Sequence, residues 1–194
     1  MRALALVVAA YLCGALPSGV WFARLAGVDV RHSGSGNIGA TNVARTAGMR
    51  LGIYTLLFDV AKGFLPVAAA RLLGSDEWLI AFVAAAAFCG HLYSVFLRFD
   101  GGKGVATALG VTLAIAPAAA GVGVATFAAV AISTRYVSLA SVLAVATLPA
   151  TATLLRYPTA VSTLTVVLGT AVIVRHRSNL VRLWFGREPR FGSR

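Results

Sequence analysis

The chain has little charge. Of its 194 residues only 12% are Asp, Glu, Lys or Arg, and only six are acidic. A soluble domain carries about a quarter charged residues, so an ordinary water-soluble globule is excluded. Six scattered carboxylates are too few for a two-metal phosphotransfer site, and no D-D-x-x-D-like cluster occurs. Cysteine is scarce: Cys13 and Cys89 both lie in apolar segments, which excludes a disulfide framework, and no Cys/His spacing suits zinc. No G-x-S-x-G elbow is present. Nor is there an H-x-x-x-x-D pair: Phe96 stands five positions after His91, and Asn37 five after His32. Lysine is used twice, against fifteen arginines.

What the chain has is apolar length. It is 59% hydrophobic with a mean hydropathy of +0.85. Runs cover Ala3–Phe22, Leu51–Leu73, Trp78–Leu97, Val105–Thr134, Val137–Leu155 and Thr159–Val174. Most approach the ~20 residues that cross a bilayer as a helix. The fold class expected is therefore all-α: a polytopic integral membrane protein, folded as a single membrane-embedded domain over residues 1–194 without internal repeats. The start of the chain mimics a signal peptide but reads as a first transmembrane helix, because further spans follow. Val105–Thr134 would make a helix about 45 Å long, and Pro117 falls near its middle.

Arginine placement chooses between one kinked span and two. With two, the chain has seven transmembrane helices, the N-terminus outside and the C-terminus cytoplasmic. The inner face then holds thirteen cations: Arg24, Arg31, Arg45, Arg50, Arg98, Lys103, Arg135 and the six tail arginines from Arg175 to Arg194. The outer face holds Arg2, Arg71 and Arg156. With six spans the best split is seven inside against nine outside, so the positive-inside rule selects seven. The formal charge of +11 and pI near 11.1 thus reflect a cytoplasmic membrane face and anionic lipid contacts, not nucleic-acid binding.

Polar residues crowd into a few motifs. His32–Arg45, HSGSGNIGATNVAR, sets Gly34, Gly36 and Gly39 among Ser35, Asn37, Thr41, Asn42 and Arg45. It matches G-x-G-x-x-G formally, but an apolar helix rather than a strand precedes it and no acidic ribose partner follows in a loop, so a dinucleotide site is excluded. Loops of this composition suit an anion, most naturally phosphate. A second glycine loop, Asp100-Gly101-Gly102-Lys103-Gly104, enters a helix near Val105; Gly104 after the lysine excludes a Walker A loop. Both lysines sit in Lys-Gly pairs, Lys62-Gly63 and Lys103-Gly104.

Asp59 and Lys62 stand at i, i+3 within the second span, as a neutralised structural pair or as part of an anion pocket. His91 closes the third span. Ser138 and Ser141 share a helix face, bonding their own backbone or lining a polar pocket. The tail motif Arg175-His176-Arg177-Ser178-Asn179 follows the last span; headgroup contact explains its arginines better than it explains His176 and Asn179.

GSGNIGATNVAR, FDVAKG, GHLYSVFLRFDGGKGVAT, TRYVSLAS and RHRSNLVRLWFGRE occur here in the order seen in bacterial acyl-phosphate-dependent glycerol-3-phosphate acyltransferases, and the chain resembles that family over nearly its whole length. The resemblance implies seven membrane helices with the motifs on the cytoplasmic side of the bacterial inner (plasma) membrane. It implies acyl transfer from acyl phosphate to the sn-1 hydroxyl of glycerol 3-phosphate, giving 1-acylglycerol 3-phosphate (lysophosphatidate) and inorganic phosphate, without a cofactor, a metal or an obligate protein partner. Ser35, Asn37, Arg45, Lys103 and His176 are the expected catalytic residues. Gly34, Gly36, Gly39, Thr41, Asn42, Gly101, Gly102, Gly104, Ser141 and Asn179 are the expected substrate-binding residues. His91, His176 or the substrate's own phosphate takes the hydroxyl proton. The alternative from another class is an anion or phosphate-ester transporter, which would need polar residues in the outer halves of the helices, and those are Ala/Val/Leu-rich.

Overall fold

The computed structural model describes residues 1–192; Arg194, one of the tail arginines counted above, lies outside the described residues. Among the described residues there are ten α-helices, one 3-10 turn and no strand. The helices are α1 (Arg2–Ala15), α2 (Ser18–Leu25), α3 (Ala40–Thr46), α4 (Met49–Leu72), α5 (Glu77–Leu92), α6 (Val105–Ile115), α7 (Pro117–Thr134), α8 (Val137–Leu154), α9 (Thr159–Arg175) and α10 (Arg177–Trp184).

Local chemistry places the boundaries. Pro17 lacks an amide proton and interrupts the first apolar run, which divides into α1 and α2 rather than continuing as one helix. Asp76 caps α5, its carboxylate accepting the Trp78 and Leu79 amides at 3.0 Å. The long run breaks at Pro117, which begins α7. Its first part, α6, has only eleven residues, about 17 Å of helix and half a bilayer. Five helical stretches are long and apolar enough to cross a membrane: Arg2–Leu25 (α1 with α2), Met49–Leu72, Glu77–Leu97 (α5 with the 3-10 turn), Pro117–Thr134 and Val137–Leu154; there are six if α9 and α10, bent by 57°, form one span. The structure therefore supports a multi-pass helical membrane protein, while the seventh crossing hangs on how the short α6 is used.

The chain gathers into two compact units, Met1–Ala114 and Ile115–Arg194. In the first, α1 lies against α5, and α4 packs on α1, α2, α3 and α5. Gly14 faces the Ala87 carbonyl and Gly90 the Tyr11 carbonyl, so a methyl group at either would separate α1 from α5. Val20, Ala23, Val30, Ile38, Val43 and Leu97 form an apolar cluster joining α2, α3 and the segment between them, which gives the first glycine loop a firm base. In the second unit α8 packs against α7, α9 and α10.

The distribution of polarity suits lipid. Leu57, Leu65, Phe82, Ile132, Leu154 and Val166 are exposed, whereas Asp59, Lys62, His91 and Thr107 are buried. A chain in water would arrange these the other way.

Candidate active site

The first glycine loop is organised by one side chain. Asn42, in the first turn of α3, is buried. Its Oδ1 accepts the Ser35 amide at 2.9 Å. Its Nδ2 lies within hydrogen-bond distance of the Val30, Ser33 and Asn37 carbonyls, at 3.2, 3.0 and 2.9 Å. Gly34 (φ +60°) and Gly36 (φ +72°) take left-handed backbone, and a Cβ on Gly34 would collide with Asn42 Oδ1. Asn37 adds an Asx turn, its Oδ1 accepting the Gly39 amide at 2.8 Å. The Gly36 amide bonds the Ser33 carbonyl.

The amides of Ser35, Gly36 and Gly39 are thus engaged within the loop. These bonds fix the loop's shape. What the loop presents outward is the exposed Ser35 side chain, the half-buried Asn37 and Thr41, and the exposed guanidinium of Arg45. Arg45 makes no ion pair or hydrogen bond among the described residues. Asp29, at the loop's entrance, accepts from His32 Nδ1 at 2.7 Å and from the Arg31 amide, and these bonds hold its carboxyl below the usual range.

The second glycine loop folds back on the end of α5. The last carbonyls of a helix lack intrahelical partners; here the Gly101 amide reaches Leu92 O at 3.1 Å and the Gly102 amide reaches His91 O at 3.0 Å. A Cβ on Gly102 would collide with the His91 ring. These two amides are committed to α5, and Lys103, the loop's one cation, is half-buried. Arg31 and Asp100 join the two loops through an exposed ion pair at 3.6 Å.

Beneath them lies a buried polar cluster. Lys62 Nζ contacts Asp59 Oδ1 at 2.7 Å and donates to the Leu16 carbonyl at 2.8 Å. Ser18 Oγ donates to the same Asp59 oxygen at 2.6 Å. His91 Nδ1 stands 3.7 Å away from it. Of the two sequence readings, a neutralised interior pair describes Asp59 and Lys62.

In the second unit, Ser141 is buried and donates to the Val137 carbonyl at 2.8 Å. His176 is buried with Nδ1 2.8 Å from the Val172 carbonyl. A carbonyl only accepts, so Nδ1 carries the proton. Asn179 donates to Glu188 Oε1, and Arg182 pairs with Glu188 Oε2, both at 2.7 Å. Burial pushes the Glu188 carboxyl up, but the bonds from Asn179 and Arg182 and the Arg182 charge outweigh it and hold it below the usual 4.5. Sequence reasoning missed Glu188. The signal was there: a lone acid in an arginine-rich tail, nine residues beyond Asn179.

A multi-pass helical protein whose polar groups gather around two glycine loops, with exposed or half-buried cations at each, belongs to the class of membrane enzymes that act on phosphorylated substrates. The sequence profile described as glycerol-3-phosphate acyltransferase matches residues 4–186. A glycerol-3-phosphate acyltransferase of Geobacter sulfurreducens is 49% identical over 192 residues, 98% of each chain. One from Aquifex aeolicus is 44% identical over 98% of this chain and 100% of its own. A crystal structure of PlsY (YgiH), an integral membrane glycerol 3-phosphate acyltransferase, in its glycerol 3-phosphate form, matches with a TM-score of 0.95 at 44% identity over 99% of this chain and 96% of that one. Its lysophosphatidic acid form matches with a TM-score of 0.92 at 43% identity over the same shares. The chain belongs to the glycerol-3-phosphate acyltransferase family. It is an integral membrane acyltransferase of phospholipid synthesis, which removes the transporter reading.

Proposed function

We propose that the acyl donor is acyl phosphate: the sn-1 hydroxyl oxygen of glycerol 3-phosphate attacks the acyl carbonyl carbon, the carbon–oxygen bond to the donor's phosphate breaks, and lysophosphatidate and inorganic phosphate leave. The observation that carries this is that two sets of phosphate-binding groups are present: the outward Ser35 hydroxyl and Asn37 of the first loop, and the cations Arg45 and Lys103, one beside each loop, while the reaction has two phosphates to hold. An acyl phosphate is already activated, so binding the two substrates together and stabilising the oxyanion supply most of the catalysis.

The Ser35 hydroxyl and Asn37 take the acyl-phosphate head, held in shape by Gly34, Gly36, Gly39 and Asn42, with Thr41 beside them. Arg45 and Lys103 take glycerol 3-phosphate, with Gly101, Gly102 and Gly104 fixing the Lys103 loop. Ser141, His176 and Asn179 enter by the family resemblance, His176 and Asn179 toward glycerol 3-phosphate. The hydroxyl proton passes to a substrate phosphate oxygen; His91 is packed against Gly102, which argues against its serving as the base. The glycerol 3-phosphate and lysophosphatidic acid forms of the PlsY relative correspond to the substrate and product of this reaction. The chain crosses the bacterial inner membrane seven times, α6 making the short crossing, with both loops cytoplasmic and the acyl tail left in the bilayer. No metal, cofactor or protein partner takes part.

The test offers purified protein glycerol 3-phosphate with palmitoyl phosphate or with palmitoyl-CoA. Lysophosphatidate and phosphate in equal amounts from palmitoyl phosphate alone is the expected result. Turnover of palmitoyl-CoA overturns the donor assignment.

A further inference from the structure

The cluster around Asp59 lies where both glycine loops are anchored. Its groups come from stretches distant in sequence: the α1–α2 junction (Leu16, Ser18), α4 (Asp59, Lys62) and the end of α5 (His91). Toward the first loop the path is short. Ser18 bonds Asp59, and the next residue, Gly19, sits against the Ile38 carbonyl so closely that a Cβ there would collide with it. Toward the second loop, His91 provides two contacts with one residue. Its carbonyl accepts the Gly102 amide at 3.0 Å and its ring edge lies where a Gly102 side chain would be. Lys103 is the next residue in the chain.

Asp59 and Lys62 are 2% and 3% exposed, so neither meets a substrate arriving from solvent. A buried pair of this kind is weak evidence for added stability, since two well-packed apolar residues often do as well. What the pair does here that apolar residues would not is bind specific partners: the Leu16 carbonyl left over at the end of α1, the Ser18 hydroxyl and the approach to His91.

We propose that Asp59, Lys62 and His91 are positioning residues for acyl transfer: they fix the seat of the second glycine loop, and with it the Lys103 ammonium, relative to the first loop. They act through Gly102 and Ser18 and touch neither substrate. This rests on the reading that Lys103 binds glycerol 3-phosphate.

The test compares the wild type with Asp59→Asn/Lys62→Met, which removes both charges and leaves neither buried alone, and with His91→Asn, which keeps the ion pair. Lys103→Ala runs in parallel. For each, the KM for glycerol 3-phosphate, kcat, the melting midpoint and hydrogen exchange of residues 99–107 are measured. In the double variant and in His91→Asn, KM is expected to rise by at least about tenfold, with faster exchange confined to residues 101–104. Wild-type KM, kcat and exchange in both overturn the proposal. So does exchange that rises evenly across residues 1–114, which marks a purely structural role; if the double variant fails to fold, His91→Asn alone decides by the same criteria. Should Lys103→Ala keep wild-type kinetics, the reading of Lys103 fails instead, whatever the other variants do.

Discussion

Asn42 Oδ1 holds the Ser35 amide at 2.9 Å, seven residues back along the chain, while its Nδ2 serves three carbonyls of the same loop. One buried amide therefore determines where the Ser35 hydroxyl sits. Replacing it by alanine leaves several polar groups without partners, each costing about 1–3 kcal/mol. Asn42→Ala is expected to lower the melting midpoint and reduce acylation at least about tenfold; activity within twofold of wild type would show that the loop holds its shape without it.

Gly34 and Gly27 separate two effects. Both have positive φ, +60° and +69°, but a Cβ on Gly34 meets Asn42 while one on Gly27 meets nothing within 4 Å. Gly27→Ala is expected to cost about 1 kcal/mol of backbone strain and leave activity intact. Gly34→Ala incurs the same strain and displaces Asn42, so it loses activity as well. Equal activity in the two variants, read with equal melting midpoints, contradicts this.

The ion pair joining the loops is weak by contrast. Arg31 and Asp100 are 39% and 73% exposed at 3.6 Å, a geometry worth under about 1 kcal/mol. Asp100→Ala is expected to change acylation less than about threefold, because each loop is already held by its own hydrogen bonds. A large loss would mean that the loops depend on each other through this contact.

Glu188 gives a pH dependence with a definite sign. Its folded pKa lies below the ordinary 4.5, so its contribution to stability is present above 4.5 and lost as pH falls through the folded value. The melting midpoint of the wild type is expected to drop between about pH 5 and about pH 3 by more than that of Glu188→Gln. Parallel curves would show that the Asn179–Glu188–Arg182 arrangement does not contribute.

Much of this was legible in the sequence, because composition and arginine placement are read directly from the residues. Pro117 announced the break that makes α6 and α7, and the i, i+3 spacing announced the Asp59–Lys62 contact. The partners of that pair were not legible: Ser18 is 41 residues from Asp59, and only the packing of α2 on α4 brings them together. Pro17 was equally visible: the first span, Arg2–Leu25, is there as expected, and the missing amide proton divides it into α1 and α2. The first glycine loop was read by composition as suited to an anion, and the hydrogen bonds within and beneath the two loops were not legible. Their amides turned out to satisfy Asn42 and the orphan carbonyls at the end of α5, a demand that exists only once the helix ends are known.

The most direct measurement labels the sn-1 hydroxyl of glycerol 3-phosphate with oxygen-18 and supplies palmitoyl phosphate as the sole donor. Attack at the acyl carbon predicts the label in the ester of lysophosphatidate and none in the released phosphate. Palmitate released with a doubly phosphorylated glycerol that carries the label in its new phosphate ester would mean attack at phosphorus and would contradict acyl transfer from acyl phosphate.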